Sequence, residues 1–310
     1  MLKLSESDQH HLNHGYLGGK RDEYAIIKAS GATLLDYLQG QITQDIKRLT
    51  ASQGIYTAVL TPQGKVIADL YIISAHHGEL IIITRKAYAE AVVGRLRQFA
   101  LGHELRIGIV DSLQLYSVQG ARCDAFLASF NLPVPSDVHL STACAAESDK
   151  FVIRMGEAHE NGLWIITDDA AAIGTLVDEQ AIHTARILKG VPSFGIDWDE
   201  KFFPLNANLI EFDGVNFDKG CYVGQEVTSR MQWRGGIKKH LYRVQLESLP
   251  KTLPSHVSTT AEIGSITSAA INADGEVFGI ALLPIEVVES QTPLIDNEGD
   301  SVRVIEACSV

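Results

Sequence analysis

The sequence predicts an α+β fold of two mixed layers followed by a small all-β barrel, and three observations carry that prediction. Strand-like and helix-like runs alternate over residues 24–110. The same kinds of element recur over 112–188, and from His240 onward short β-rich runs are separated by turn residues. The hairpin connections are too short for parallel crossovers, so mixed layers with antiparallel pairs fit better than a doubly wound parallel sheet.

In the first layer, YAIIKAS (24–30) reads as a strand. GATLLDYLQGQITQDIKRL (31–49) places Leu34, Leu35, Leu38, Ile42 and Ile46 at helical spacing, with Gly40 as an interruption. GIYTAVLT (54–61) and KVIADLYIIS (65–74) are β-rich, and the Pro62 and Gly64 between them signal a hairpin. His76, His77 and Gly78 form the next turn, before the strand LIIIT (80–84). A helix follows over 85–100 with Val92, Val93, Leu96 and Phe99 on one side, and LRIGIV (105–110) closes the layer.

The second layer reads LQLYSVQG (113–120), a short helix around 121–130, a proline-containing loop, FVIRMG (151–156), LWIITDD (163–169) and a helix around 168–180. Residues 189–220 are irregular, with Pro192, Pro204 and several glycines, and a loop of that length is more often functional than not. LYRVQLE (241–247), EIGSITSAA (262–270), VFGIALLP (277–284) and VRVIEA (302–307) make the terminal barrel.

With 310 residues, 45% of them hydrophobic and 21% charged, the chain has ample material for a packed core and for about two or three domains. No apolar run approaches the roughly 18–20 residues that span a bilayer. The first residues show no basic start followed by an apolar stretch, so no secretion signal is read and a cytoplasmic location is expected. The formal charge of −12 disfavours a broad, sequence-independent grip on nucleic acid. The densest basic stretch, Arg230, Arg234, Lys238 and Lys239 around Trp233, could contact nucleic acid directly or be a solvated turn and strand start.

The four cysteines, Cys123, Cys144, Cys221 and Cys308, include no CxxC pair, so neither a zinc knuckle nor a redox dithiol is written here. Cys123, Cys144 and Cys308 read as filler. His10, His11 and His14 could share one side of a helix, but no carboxylate or cysteine beside them suggests a metal.

FDKGCYVGQEVTSR (217–230) is different. Gly220 and Gly224 permit backbone conformations closed to other residues. Lys219 and Arg230 can put positive charge near the Cys221 sulfur, while Glu226 would oppose it. A thiol with pKa near 8.5 is only about 3% ionised at pH 7, and a nearby cation lowering it by 1–2 units gives roughly 25–75% thiolate. The spacing leaves open both a reactive thiol and a tight turn packed on Phe217 and Tyr222.

DKGCYVGQEVTSR resembles the K-G-C-[YF]-x-G-Q-E-x-x-x-R signature of the YgfZ family, folate-binding proteins related to the aminomethyltransferase (T-protein) of the glycine cleavage system. The resemblance extends to Leu38, Gln39, Gly40, Gln41, Thr43 and Asp45 of an LQGQ-x-T-x-D core, to TPQGKVIADL (61–70), to Arg186 and Gly190, to FFPLNANL (202–209) and to RGGIKKHL (234–241). It covers about residues 24–245, with the terminal module similar only in character.

The resemblance implies a T-protein-like ring of three domains around a central hole that accepts tetrahydrofolate. Residues 1–22 and 112–187 would form the first α+β domain. Residues 23–111 and 188–239 would form the second, carrying the cysteine motif, and 240–310 the barrel. Tyr24 would face the pterin where relatives often carry tryptophan. Ile182 would occupy a second aromatic position, and Gln225 and Glu226 would add polar contacts. Asp69 matches the region of the aminomethyltransferase's essential carboxylate, the alternative being an exposed strand residue. Cys221, with Lys219 and Arg230, would act at the rim of the hole on a cluster fragment, a sulfur species or a mixed disulfide. The implied role is as an accessory to the assembly or repair of iron–sulfur proteins, among them radical tRNA-modifying enzymes. The competing role is a folate-dependent one-carbon transferase using Asp69. One cysteine cannot hold a conventional cluster, so no resident metal is expected.

Overall fold

The computed structural model describes residues 2–145, 149–169 and 179–309. The chain opens with α1 (Glu6–His14), whose start is fixed by a reciprocal hydrogen-bonded cap between Ser5 and Asp8. Then come β1 (Leu17–Lys20), β2 (Tyr24–Ser30), α2 (Leu34–Gln39), β3 (Ile55–Leu60), β4 (Val66–Ser74), β5 (Leu80–Arg85), α3 (Lys86–Gln98) and β6 (Arg106–Ile109). The order continues through β7 (Gln114–Gln119), α4 (Cys123–Ser129), β8 (Thr142–Cys144), β9 (Phe151–Arg154), β10 (Leu163–Thr167), α5 (Glu179–Lys189) and α6 (Gln225–Trp233). Last are β11 (Lys239–Leu246), β12 (Ser255–Ser258), β13 (Glu262–Ile271), β14 (Val277–Pro284), α7 (Ile285–Glu289), β15 (Leu294–Ile295) and β16 (Ser301–Ala307).

The larger sheet has the order β3-β4-β5-β2-β6 and every pairing in it is antiparallel. Strands β3 and β5 are buried at every residue, which is why their sequences are mostly apolar, broken only by Thr57, Thr84 and Arg85. Helix α3 covers one side of this sheet with Ala89, Val92, Val93 and Leu96. The second sheet, β1-β7-β10-β9-β8, is also antiparallel. Here the two-residue alternation sorts its faces. Leu115, Phe151, Ile153, Trp164 and Ile166 join the core of the larger sheet. Tyr116, Val118, Val152, Leu163 and Ile165 instead meet Phe126 and Leu127 of α4.

Strands β11-β14-β13-β12-β15-β16 close into a barrel around Tyr242, Val244, Leu246, Val257, Ile266 and their neighbours. Register shifts in β11, β12 and β13 supply the curvature that closure needs. Leu241 and Ile280 belong instead to the core shared with the sheets, so the barrel is packed onto the rest of the molecule. Asn208 reinforces that contact. It is fully buried, donates through Nδ2 to the carbonyls of Leu241 and Cys308, and accepts from the Leu241 amide.

The α+β class and the T-protein-like arrangement of two mixed layers and a barrel are as expected. Three local expectations fail. The helix read over 31–49 stops at Gln39, because beyond Gly40 the chain bridges the edge of β3 at Ile42 and Val59, before a short 3-10 turn at Ile46–Arg48. Phe99 lies beyond α3, half exposed, beneath the Arg95 guanidinium at 3.9 Å. The motif around Cys221 leads into a helix, α6, where only turn and loop were read. The helix expected around 168–180 falls largely outside the described residues. Among the described residues no helix is long and apolar enough to cross a membrane.

Candidate functional site

A cavity of about 230 Å³ lies where the two sheets, the 191–212 loop and the end of the barrel strand β16 converge. One wall is aromatic. Tyr24 and Tyr71 each meet Trp164 edge to face, with centroids 5.0 and 4.9 Å away, and Tyr56 lies 4.8 Å from Tyr71. Phe194 and Trp198, 4.7 Å apart, together with Phe212, line the cavity from the long irregular loop. That loop is held by Asp197, which accepts from Arg186 at 2.9 Å, the Ser193 amide at 2.8 Å, Thr267 at 2.9 Å and the Ser268 hydroxyl. A solvent-shielded ion pair of this kind holds only because the carboxylate's remaining lone pairs are also satisfied.

The hairpin β3–β4 delivers the cavity's central carboxyl. Tyr56 pairs across the strands with Tyr71, and Ala58 with Asp69, so Tyr56, Tyr71 and Asp69 share a face. Asp69 is 6% exposed rather than a surface strand residue. Its Oδ2 accepts from the Tyr56 hydroxyl at 3.0 Å, and its Oδ1 has no donor among the described residues. Burial pushes the carboxyl up to about 6, against the pull of the Tyr56 hydrogen bond and the Arg85 charge.

Behind Tyr24 stand two guanidinium groups, Arg85 at 4.6 Å and Arg21 at 5.2 Å from the ring centre. Arg21 is bidentate to Glu157 at 2.6 and 2.9 Å and reaches Glu23 at 2.7 Å. Burial works to raise the Glu157 carboxyl, but the Arg21 charge and hydrogen bonds, with the Trp164 indole, hold it below its ordinary value. His183, near this cluster, is pushed down to about 4 by burial and by Arg186, and its Nδ1 accepts from Arg186.

Of the residues singled out in the sequence, Tyr24 and Asp69 line the cavity. The others do not. Ile182 is buried among Leu4, Leu12, Leu17, Ala181 and Ala185, on the α5 face turned toward α1 and β1. Cys221 is exposed on the loop entering α6. Lys219 sends its ammonium to the carbonyls of Ile42 and Gln44, both at 2.8 Å, and burial lowers it to about 8. Arg230 is engaged with Glu226 at 2.6 Å across one exposed turn of α6, and Gln225 accepts from the Tyr222 amide at 3.3 Å.

What these motif residues build is a joint. The Val223 amide donates to the Gly40 carbonyl at 3.1 Å, and the Asn216 amide to that of Thr43 at 3.0 Å. Gly224 has φ +84°, and a β-carbon there would lie 2.8 Å from the Thr61 carbonyl oxygen and 2.9 Å from Leu60 Cβ. At Gly64, φ +77°, a β-carbon would lie 2.8 Å from Val227 Cβ. The LQGQ-x-T-x-D, TPQG and KGCYVGQE stretches therefore interlock, presenting the Cys221 side chain outward. Gly220 has open space and needs no left-handed backbone. The other thiols differ from Cys221. Cys123 and Cys308 are buried, with Cys123 pushed up to about 12 by burial, and Cys144 lies 3.1 Å from His76 Nε2. Among the described residues no group of three or more histidines, cysteines or carboxylates could hold a metal ion.

Two mixed layers and a closed barrel make a fold of the T-protein type. The structure matches that of the glycine cleavage system aminomethyltransferase T from Bartonella henselae with a TM-score of 0.85, over 97% of this chain and 87% of that one, at 17% identity. By sequence the chain is similar to YgfZ proteins, as its cysteine signature suggested. It is 25% identical over 300 residues to the tRNA-modifying protein YgfZ of Yersinia enterocolitica, spanning 92% of this chain and 89% of that protein. It is 28% identical over 229 residues to the tRNA-modifying protein YgfZ of Escherichia coli, spanning 71% and 69%. No family model matches the chain.

Proposed function

We propose that this chain binds a reduced folate, tetrahydrofolate or a derivative, in its central cavity and serves in the cytoplasm as an accessory to the assembly or repair of iron–sulfur enzymes, including tRNA-modifying ones. The observation that carries the folate reading is the cavity itself: a flat heteroaromatic ring suits the wall of Tyr24, Trp164 and Tyr71, and the donor-less Oδ1 of Asp69 suits a ring or bridge N–H. The relatives' name, tRNA-modifying protein, supports the client class. Cys221 acts on the cluster or sulfur cargo, and its exposure supports contact with a partner protein rather than with the folate. The division into domains 1–22 with 112–187, 23–111 with 188–239, and 240–310 is part of this reading.

Titration with tetrahydrofolate tests the folate step. Binding that weakens about fivefold or more in Tyr24→Ala is expected, since an aromatic contact of this kind is worth roughly 1 kcal/mol or more. No saturable binding would end the reading. Restoration of an iron–sulfur enzyme's activity in cells lacking this protein, by wild type but not by Cys221→Ala, tests the accessory role.

Asp69 in a cavity of aminomethyltransferase-like fold favours one second reading, a folate-dependent one-carbon transferase. Condensation of formaldehyde with tetrahydrofolate to methylene-tetrahydrofolate and water, faster with the pure protein than without it and returned to the uncatalysed rate in Asp69→Asn, distinguishes it.

A further inference from the structure

Helix α1 carries three histidines that neither the cavity nor the cysteine motif uses. His10 and His14 are four residues apart, so they stand one above the other on a single row of the helix. Their ring centroids are 4.8 Å apart with an interplanar angle of 55°, and both side chains are exposed. Among the described residues neither imidazole has a hydrogen-bond or ion-pair partner. His11, one position on, is turned about 100° round the helix axis, and its centroid is 6.3 Å from that of His10. The row stands on a fixed platform. Ser5 and Asp8 close the first turn, and Leu12 is buried with Leu17, Ala181, Ile182 and Ala185 on the opposite side. His14 is the last residue of the helix, where the unpaired carbonyls form the negative end of the macrodipole and favour a cation. Two imidazoles at this spacing on one helix face are the pair that the H-E-x-x-H motif presents to zinc. Imidazole nitrogen suits borderline ions such as Zn²⁺ and Ni²⁺, whereas Mg²⁺ and Ca²⁺ take oxygen ligands.

We propose that His10 and His14 form an open chelate for one borderline divalent metal ion on the outer face of α1, with water in the remaining coordination positions. Such a site needs no third side chain, which is why the absence of a neighbouring cysteine or carboxylate cluster does not argue against it. It lies outside the cavity and depends on neither folate nor Cys221.

The test is isothermal titration calorimetry of the intact protein with nickel chloride, and with magnesium chloride as the hard-cation control. The exposed Cys221 is first alkylated with iodoacetamide, so that a thiolate does not hold the ion. One saturable Ni²⁺ site is expected, with Mg²⁺ giving no comparable heat. Its affinity should fall about tenfold or more in His10→Ala and in His14→Ala, and stay within about twofold in His11→Ala. All three positions are exposed and alanine is the best helix former, so these variants keep α1. Three results would each overturn the proposal: no saturable Ni²⁺ binding by about 1 mM, Mg²⁺ bound as tightly as Ni²⁺, or Ni²⁺ affinity unchanged in His10→Ala or His14→Ala. A loss in His11→Ala as large as in the other two would also overturn it, by showing a diffuse histidine cluster in place of the His10–His14 pair.

Discussion

Replacing Gly224 with alanine puts the joint beneath Cys221 under a load that can be worked out from its neighbours. At φ +84° a residue with a β-carbon costs roughly 1–2 kcal/mol in backbone energy. The added methyl would then lie 2.8 Å from a backbone oxygen and 2.9 Å from Leu60 Cβ, in a strand buried at every residue, and overpacking of that kind costs roughly 1–3 kcal/mol more. Together these predict a loss of about 2–5 kcal/mol, or about 3–8 °C in the melting temperature, for Gly224→Ala. Gly220→Ala, by contrast, adds a methyl to open space at ordinary backbone angles and is expected within about 0.5 kcal/mol of wild type. Differential scanning calorimetry of the two variants, paired with the rate at which Cys221 is alkylated, reads both stability and the presentation of the thiol. Equal melting temperatures for the two variants would refute the argument that Gly224 is required by close approach to β3.

Asp69 should leave a signature in pH. Its folded-state value of about 6 stands above its ordinary 3.8, so the native state holds this proton longer than the unfolded chain, and stability from this group falls as pH rises from about 4 to 6. Subtracting Asp69→Asn from wild type across that window should reveal a change of at most about 3 kcal/mol, and a flat difference would contradict it. Glu157→Gln removes one partner of a buried pair and is expected to cost about 3–5 kcal/mol in chemical denaturation, whereas an exposed-pair change, Glu226→Gln, should cost under about 1 kcal/mol. Among the thiols, Cys221 should be alkylated by iodoacetamide in the native protein while the buried Cys123 and Cys308 react only on unfolding, as peptide mass mapping would show.

The layers and the barrel were legible because alternation, hairpin turns and apolar runs are local signals. The cavity was legible only in part. Asp69 and Tyr24 could be read by likeness, but Tyr56 and Tyr71 needed the hairpin's register. Counting back from the turn puts Asp69 opposite Thr57; in the structure the register shifts between Val59 and Leu60, so that Asp69 faces Ala58 and joins the tyrosines' face. Arg21, Glu157 and Trp164 come together over long sequence separations, and no spacing announces that. Lys219 misled in a different way. A cation two residues from a sulfur need not serve it, and here two carbonyls 175 and 177 positions away along the chain take its hydrogens.

Asn208 has a consequence for how the protein can be cut. Three backbone groups, two on Leu241 near the start of the barrel's opening strand and one on Cys308 just past its closing strand, depend on a single amide that belongs to the loop before α6. A truncated chain ending ahead of Lys239 would strand that amide in the interior with nothing to bind, and an excised barrel would lose the same bonds at both its ends. The terminal module is thus a poor candidate for a detachable appendage or a freely swinging flap: whatever enters the cavity must do so past a frame whose last strand is already bolted shut.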